Sequence, residues 1–182
     1  MVELIKVTED EKQILNNLME KYLYEFSQWE LTDIGEDGLY GYEYLDCYFT
    51  EKNRFPYFIK SDGKLAGFVL VSDYPEVEGE KTDFCLSEFF ILYKYRRSGV
   101  GREAVRQLLD RHHGKWQLKR HPHNTASVFF RDNTNSKPFY RQGRQIEFCQ
   151  SRKATAGGLA ARQRSLTQSD KIIAVVSVYR LV

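Results

Sequence analysis

The sequence predicts one α+β domain in which helices and strands form three layers. Strand-like and helix-like patterns alternate along residues 2–120. An Asp-Gly pair joins two β-rich runs, and an apolar strand leads through a glycine-containing loop into a helix. The chain of 182 residues has the length of one domain, and its hydrophobic fraction of 42% is enough for a real core. We therefore expect residues 1–182 to form a single domain.

The amino-terminal residues predict a strand followed by a capped helix. Apolar and charged residues alternate over residues 2–7, as in a strand with one face on the core. Thr8 and Glu11 have the spacing of a capping box, and apolar residues then recur at helical spacing to about Phe26. Glycines, acids and aromatic residues interrupt the pattern over residues 27–53, where we expect short helices and loops.

The middle of the chain predicts a hairpin and a central strand. Residues 55–60 and 65–72 are β-rich, and Asp62-Gly63 between them supplies the positive φ of a tight turn. Residues 84–92 are almost entirely apolar, which is typical of a strand buried on both faces. Glu88 is the charged exception inside this strand.

The residues after the central strand are typical of a phosphate-binding loop. Arg96-x-x-Gly99-x-Gly101 leads into helical periodicity, so free backbone N–H groups lie at the positive end of a helix dipole. The glycines permit close approach of phosphate oxygens, and Arg96, Arg97 and Arg102 add charged donors. The Lys-Ser/Thr of a P-loop and the GxGxxG of a dinucleotide fold are both absent, so we expect a different pyrophosphate ligand. A basic turn whose glycines are purely steric is the alternative.

Beyond residue 130 the sequence changes character. Basic residues outnumber acidic ones over residues 131–165, and no aromatic residue lies between Phe148 and Tyr179, so this tail can bury little. Residues 171–182 are β-prone without a clear partner, which leaves pairing across a homodimer open. A strand at residues 116–120 is the last element that the pattern predicts before the tail.

Composition excludes several classes of function. Lys and Arg number 27 against 25 Asp and Glu, a balance that attracts neither nucleic acid nor an anionic membrane. The sequence shows no targeting segment and no long apolar run, so we expect a soluble cytoplasmic protein. The 3 cysteines and 4 histidines lack metal-ligand spacing, and we expect no metal.

Two segments resemble the GNAT superfamily of N-acetyltransferases. Residues 89–102 are similar to its central motif of a strand, Gln/Arg-x-x-Gly-x-Gly/Ala and a helix, and residues 124–130 resemble its Asn-x-x-Ala/Ser-x-x-Phe segment. The resemblance covers residues 1–130, while residues 131–182 match poorly. It implies a mixed, mostly antiparallel central sheet with helices on both faces.

The resemblance also implies an acetyl-CoA site made largely of backbone. By this likeness the backbone of Phe89, Phe90 and Ile91 pairs with the pantetheine arm, and Asn124 lies near it. The implied pyrophosphate site consists of Arg96, Arg97, Ser98, Gly99, Val100, Gly101 and Arg102.

The implied activity is transfer of an acetyl group from acetyl-CoA to an amine in a ternary complex. Glu88 is the candidate base or ammonium anchor, because an apolar strand raises the pKa of a carboxylate; a carboxylate turned to solvent or paired with an arginine is the alternative. Arg131 stands where the family often has the tyrosine that protonates the departing thiolate, and it cannot give up a proton at neutral pH. Tyr140 is the substitute acid if the helix register differs.

The sequence leaves the acceptor open among a small amine, an aminoglycoside-like antibiotic and a protein N-terminus. A non-catalytic CoA-binding module is the alternative to an enzyme. Nucleic-acid contact through the basic tail is a third interpretation, although the overall charge balance speaks against a nucleic-acid partner.

Overall fold

The computed structural model describes residues 1–75, 82–120 and 146–150, with residues 118–120 and 146–150 described as backbone only. The helices and strands in chain order are β1 (Val2–Lys6), α1 (Lys12–Glu30), α2 (Cys47–Thr50), β2 (Phe55–Ser61), β3 (Lys64–Ser72), β4 (Phe84–Ile91), α3 (Val100–Arg111), β5 (Trp116–Arg120) and β6 (Ile146–Gln150). Short 3₁₀ turns at Glu9–Glu11 and Tyr93–Tyr95 precede α1 and follow β4.

The six described strands form one sheet in the order β1-β2-β3-β4-β5-β6. The first four strands pair antiparallel, and β4 with β5 and β5 with β6 pair parallel. The prediction of a mixed, mostly antiparallel sheet is therefore confirmed.

The sheet carries one helix layer on each face, as expected. On one face α1 packs its apolar stripe, which includes Leu15 and Met19, against Phe68 of β3. On the other face α3 packs Val105 and Leu108 against the opposite side of the same strands. Successive residues of a strand point to opposite faces, so Phe89 and Phe90 of β4 enter the two different cores.

The predicted hairpin is present with the expected turn chemistry. Asp62 and Gly63 both adopt positive φ, at 50° and 74°, and join β2 to β3. Two consecutive residues with positive φ match the right-handed twist of the flanking strands. The hairpin predicted from the local sequence is therefore confirmed.

Helix α1 begins later and ends later than predicted. The Thr8–Glu11 capping box is present, but it caps the 3₁₀ turn, and the α-helix starts at Lys12. The helix continues past Phe26 because Trp29 packs edge-on against the Phe26 ring, with centroids 5.5 Å apart. It ends at Leu31, which takes the left-handed conformation with φ of 51°.

Two features lie outside what the sequence patterns predicted. Strand β6 lies within the basic stretch after residue 130 and pairs with β5 along Ile146–Gln150. His112 lies at the end of α3, where a cationic side chain would interact favourably with the helix dipole. Instead it is 9% exposed, and its Nε2 is hydrogen bonded to the Tyr57 hydroxyl at 2.8 Å. Burial, followed by the charge of Arg111, lowers the pKa of His112, so the imidazole is held neutral.

No helix within residues 1–75 and 82–120 has the length and apolar character needed to cross a membrane.

Candidate acetyl-CoA and acceptor site

The strands β4 and β5 run side by side over only part of β4. Their register joins Phe84, Cys85 and Leu86 to Trp116, Gln117 and Leu118. Strand β4 then continues to Ile91, where its opposite edge is still paired with Gly67 of β3. Residues 87–91 thus extend past the last position paired with β5. A parted pair of parallel strands presents backbone groups along an edge where an extended ligand can take the place of a strand.

A bulge lies where the two strands part. Leu70 of β3 is opposite Glu88, whereas the next residue, Val71, is opposite Leu86, so Ser87 is the extra residue. A bulge bends its strand and increases the local twist. The bend therefore coincides with the point where the register with β5 ends.

The loop after β4 delivers backbone amides to the head of α3. Arg97 has φ of 61° and Gly99 has φ of 82°, and these two positive values turn the chain into the helix. The first backbone bond of α3 runs from Glu103 N–H to Gly99 C=O at 3.0 Å. The N–H groups of Val100, Gly101 and Arg102 precede that bond and have no acceptor within the helix. Together with the dipole, they make this loop fit an anionic diphosphate.

The arginines of the loop have different surroundings. Arg97 and Arg102 are exposed at the head of α3. The guanidinium of Arg96 instead donates to both carboxylate oxygens of Glu25, at 2.7 and 2.8 Å, and its Nε donates to Ile91 C=O at 2.7 Å. The side chain of Arg96 therefore fastens the end of β4 to α1. Its backbone N–H is also engaged, because it donates to Tyr93 C=O at 3.2 Å.

Glu88 lies at the parting of the strands and is 4% exposed. It faces α1, and its Oε2 accepts a hydrogen bond from the hydroxyl of Tyr22. Its Oε1 accepts a hydrogen bond from the hydroxyl of Tyr42 at 3.2 Å. The carboxylate is thus not turned to solvent, and each oxygen has a phenol donor.

Buried and half-buried tyrosines surround this carboxylate. Burial, and then the charge of Glu88, raise the pKa of Tyr42 well above its usual value. The pKa of Tyr48 on α2 is also raised, chiefly by burial. Beside them the hydroxyls of Ser72 and Ser87 are hydrogen bonded at 2.9 Å. Around Glu88 the phenols therefore remain protonated and act as donors.

The loop that carries Tyr42 is fastened to α1. The Glu20 carboxylate accepts from the backbone N–H of Tyr40 at 2.8 Å and from that of Gly41 at 2.9 Å. The Tyr40 hydroxyl donates to Ser27 Oγ at 3.2 Å. These bonds fix the chain immediately before Tyr42.

The structure brings together most of the predicted site but not all of it. Glu88, the edge of β4 at residues 89–91 and the loop at residues 96–102 are contiguous in the chain and adjoin the parting of β4 from β5. The predicted Asn124 and Tyr140, and the Arg131 that replaces the family tyrosine, lie outside the described residues. Sequence analysis missed Tyr22 and Tyr42 as partners of Glu88. Tyr22 stood in the apolar stripe of α1, so its spacing indicated only a core position.

The described parts of the chain contain no candidate metal-binding cluster. No group of three or more His, Cys, Asp or Glu side chains is arranged to hold an ion there. Cys47 and Cys85 are reduced thiols.

Comparison with known proteins identifies the family. The family model described as "Acetyltransferase (GNAT) family" matches residues 19–144. No curated protein matches the sequence.

Several solved structures share the fold at low sequence identity. The aminoglycoside acetyltransferase AAC(6')-Iy, in complex with the bisubstrate analog CoA-S-monomethyl-acetylneamine, has a TM-score of 0.53 and 15% identity, covering 84% of this chain and 99% of that one. An aminoglycoside acetyltransferase from an uncultured soil metagenomic sample, in complex with sisomicin, has a TM-score of 0.52 and 13% identity, covering 84% and 97%. A transcriptional regulator from Bacillus halodurans has a TM-score of 0.51 and 17% identity, covering 76% and 94%.

These identities support the fold alone, whereas the family match spans more than half of the chain. With the parted strands and the amide-bearing loop in place, the chain belongs to the GNAT family of acetyltransferases.

Proposed function

We propose that the chain transfers an acetyl group from acetyl-CoA to an amine, with both substrates bound at once. The observation that carries the proposal is the parting of β4 from β5 directly before a loop whose amides lie at the head of α3. Acetyl-CoA supplies an activated thioester: a C–N bond forms, the C–S bond breaks, the amine loses a proton and the sulfur gains one.

The residues fit a CoA ester along their length. The backbone of residues 89–91 would hold the pantetheine arm, while the amides of residues 97–102 would hold the pyrophosphate. The side chains of Phe89, Phe90 and Ile91 are each 1% exposed and belong to the core. Their contribution is therefore through the backbone, which leaves the side chains free to pack.

Glu88 is the group on the acceptor side. It lies two residues past the last β4–β5 pair and directly before the residues proposed to hold the pantetheine arm. A carboxylate there orients the amine and receives its proton, and such a group contributes about 10²- to 10⁴-fold to rate. The identity of the acceptor stays open, and sisomicin, spermidine and a peptide with N-terminal alanine form a suitable test panel.

The proposal is tested by comparing binding with turnover in wild type and Glu88→Gln. We expect both proteins to bind CoA equally in calorimetry, because the CoA site is made of backbone. We expect release of free thiol with an amine to fall by roughly 10²-fold or more in Glu88→Gln. Asp62→Asn, in the β2–β3 turn, removes a distant carboxylate and should leave the rate unchanged.

Two results would count against this function. A folded wild type that takes up no CoA removes the acetyltransferase proposal altogether. Uptake of CoA without turnover of any amine favours the alternative, a binding module without catalysis.

A further inference from the structure

The two donors on Glu88 come from parts of the protein that differ in how firmly they are held. Tyr22 lies within α1 and is 2% exposed, inside the core. Tyr42 lies in the loop of residues 31–46 and is partly exposed. Its bond to Oε1, at 3.2 Å, is longer than the usual range for an O–H···O bond. Of the two phenols, Tyr42 is therefore the one that can be exchanged.

The attachment of the loop allows such an exchange. Glu20 holds the amides of Tyr40 and Gly41, and the chain is free of that anchor from Tyr42 onward. The Tyr42 ring contacts the Tyr44 ring edge-on, with centroids 6.0 Å apart, and it also packs against the buried cluster that includes Phe68 and Phe90. The bonds from Glu20 are to backbone amides, so a rotation of the Tyr42 side chain would leave that anchor intact.

We propose that Tyr42 is a temporary donor that the acceptor's primary amine replaces on Glu88 Oε1, while Tyr22 remains on Oε2 as a positioning residue. The inference rests on the proposed function, in which Glu88 receives the acceptor. A buried carboxylate without donors is costly, so a phenol that stays until an amine arrives keeps Glu88 satisfied in both states. A compact –NH₃⁺ or –NH₂ group, with its hydrogens at the tip, substitutes for a hydroxyl donor in that space. A tertiary amine in its neutral form has no hydrogen to donate.

The roles of the two phenols on Glu88 can be distinguished by experiment, because they reach the carboxylate from different elements. Titratable side chains reach it from α1 (Tyr22), from the loop (Tyr42) and from α2 (Tyr48), and the guanidinium of Arg54 stacks over the Tyr48 ring at 5.1 Å. Removing the Tyr22 hydroxyl removes a hydrogen bond that stabilises the ionised carboxylate of Glu88. Removing the Tyr42 hydroxyl takes away a competitor of the acceptor.

The experiment measures KM and kcat for sisomicin and spermidine in Tyr42→Phe, Tyr22→Phe and Tyr44→Phe. In Tyr42→Phe we expect the KM for the amine to fall roughly three- to tenfold with kcat changed less than about twofold. In Tyr22→Phe we expect kcat to fall and the acidic limb of the kcat/KM profile to move to higher pH. Tyr44→Phe removes a hydroxyl from the same loop, keeps the ring that contacts Tyr42 and leaves the Glu20 anchor intact, so it should leave KM and the pH profile unchanged.

The outcomes separate this inference from the proposed function. If Glu88→Gln is slow but Tyr42→Phe leaves KM unchanged or raises it, only the exchange is wrong. The exchange is also wrong if Tyr44→Phe lowers KM equally. If the wild type binds CoA but acetylates no amine, the exchange is tested by measuring sisomicin binding to wild type and to Tyr42→Phe by calorimetry. Tighter binding to Tyr42→Phe than to wild type supports the exchange, and equal or absent binding overturns it.

Discussion

At the scale of single residues, the environment of Glu88 decides what its charge can do. Removing an ionised carboxylate from water costs several kcal/mol. A hydrogen bond to a charged group contributes about 1.5–3 kcal/mol, so the hydroxyls of Tyr22 and Tyr42 offset much of that cost. A hydrophobic residue at this position in the apolar strand would avoid the desolvation cost that Glu88 carries. The position of Glu88 at the parting of the strands gives a functional reason for a carboxylate there.

His112 provides a pH-dependent contribution to stability. Its pKa in the folded protein lies below the value of 6.5 expected for an unfolded chain, so the unfolded state binds more protons between the two values. The free energy of unfolding should therefore fall as pH drops below 6.5 towards the lowered pKa of the folded state. Denaturant unfolding of wild type and His112→Gln at pH 7.5 and pH 5 measures this, and the variant should lose less stability on acidification.

The neighbouring His113 supplies the control for this measurement. It is exposed, so His113→Gln should keep the wild-type loss of stability. An equal pH dependence in His112→Gln and wild type would assign the effect to other groups.

Comparison of sequence and structure shows which residues can be assigned from local pattern. The Asp62-Gly63 turn and the Arg96-x-x-Gly99-x-Gly101 loop follow from the preferences of neighbouring residues, and both are present. The contacts of Glu88 do not, because Tyr22 lies 66 residues away in the chain and Tyr42 lies 46 away. Arg96 has the same difficulty, since its partner Glu25 lies 71 residues away. The local sequence pattern predicts where an element lies in the chain. The pairing of distant side chains depends on how the elements pack against one another.

At the scale of elements, the loop between β4 and α3 combines a structural arginine with exposed ones. We expect Arg96→Gln to lower the free energy of unfolding by about 2 kcal/mol, because it leaves the carboxylate of Glu25 without its guanidinium partner. Arg97→Gln and Arg102→Gln should leave stability unchanged and weaken CoA binding severalfold, with a smaller dependence on salt. Thermal melts and calorimetry at two salt concentrations measure the two effects. A loss of CoA affinity in Arg96→Gln without a loss of stability would contradict this division.

Gly99 should be sensitive to backbone conformation and insensitive to volume. An added Cβ would meet nothing within 4 Å, but the φ of 82° disfavours other residues. Gly99→Ala should therefore cost about 1 kcal/mol of stability and reduce CoA affinity. Gly99→Asn should cost less, because asparagine tolerates the left-handed region. A larger loss with asparagine than with alanine would mean that steric crowding, not backbone strain, governs the position.

At the scale of the whole molecule, the sheet consists of two parts with a short junction. Strands β1–β4 are joined by long antiparallel registers, and β5 pairs with β6 over Trp116–Arg120. Between the two parts the register spans only residues 84–86 of β4. Hydrogen exchange should show CoA slowing the amides of residues 87–91 and 116–120 more than those of Phe55–Ser61. Uniform slowing across all three segments would show that the ligand acts on global stability alone.

Because β4 and β5 pair over so few residues, a bound CoA would complete the sheet between them. Under the proposed function, the pantetheine chain would lie between β4 and β5 and would take the place of the missing strand pairing there. Occupancy by the donor would then set how firmly the carboxyl-terminal strands are attached to the rest of the fold.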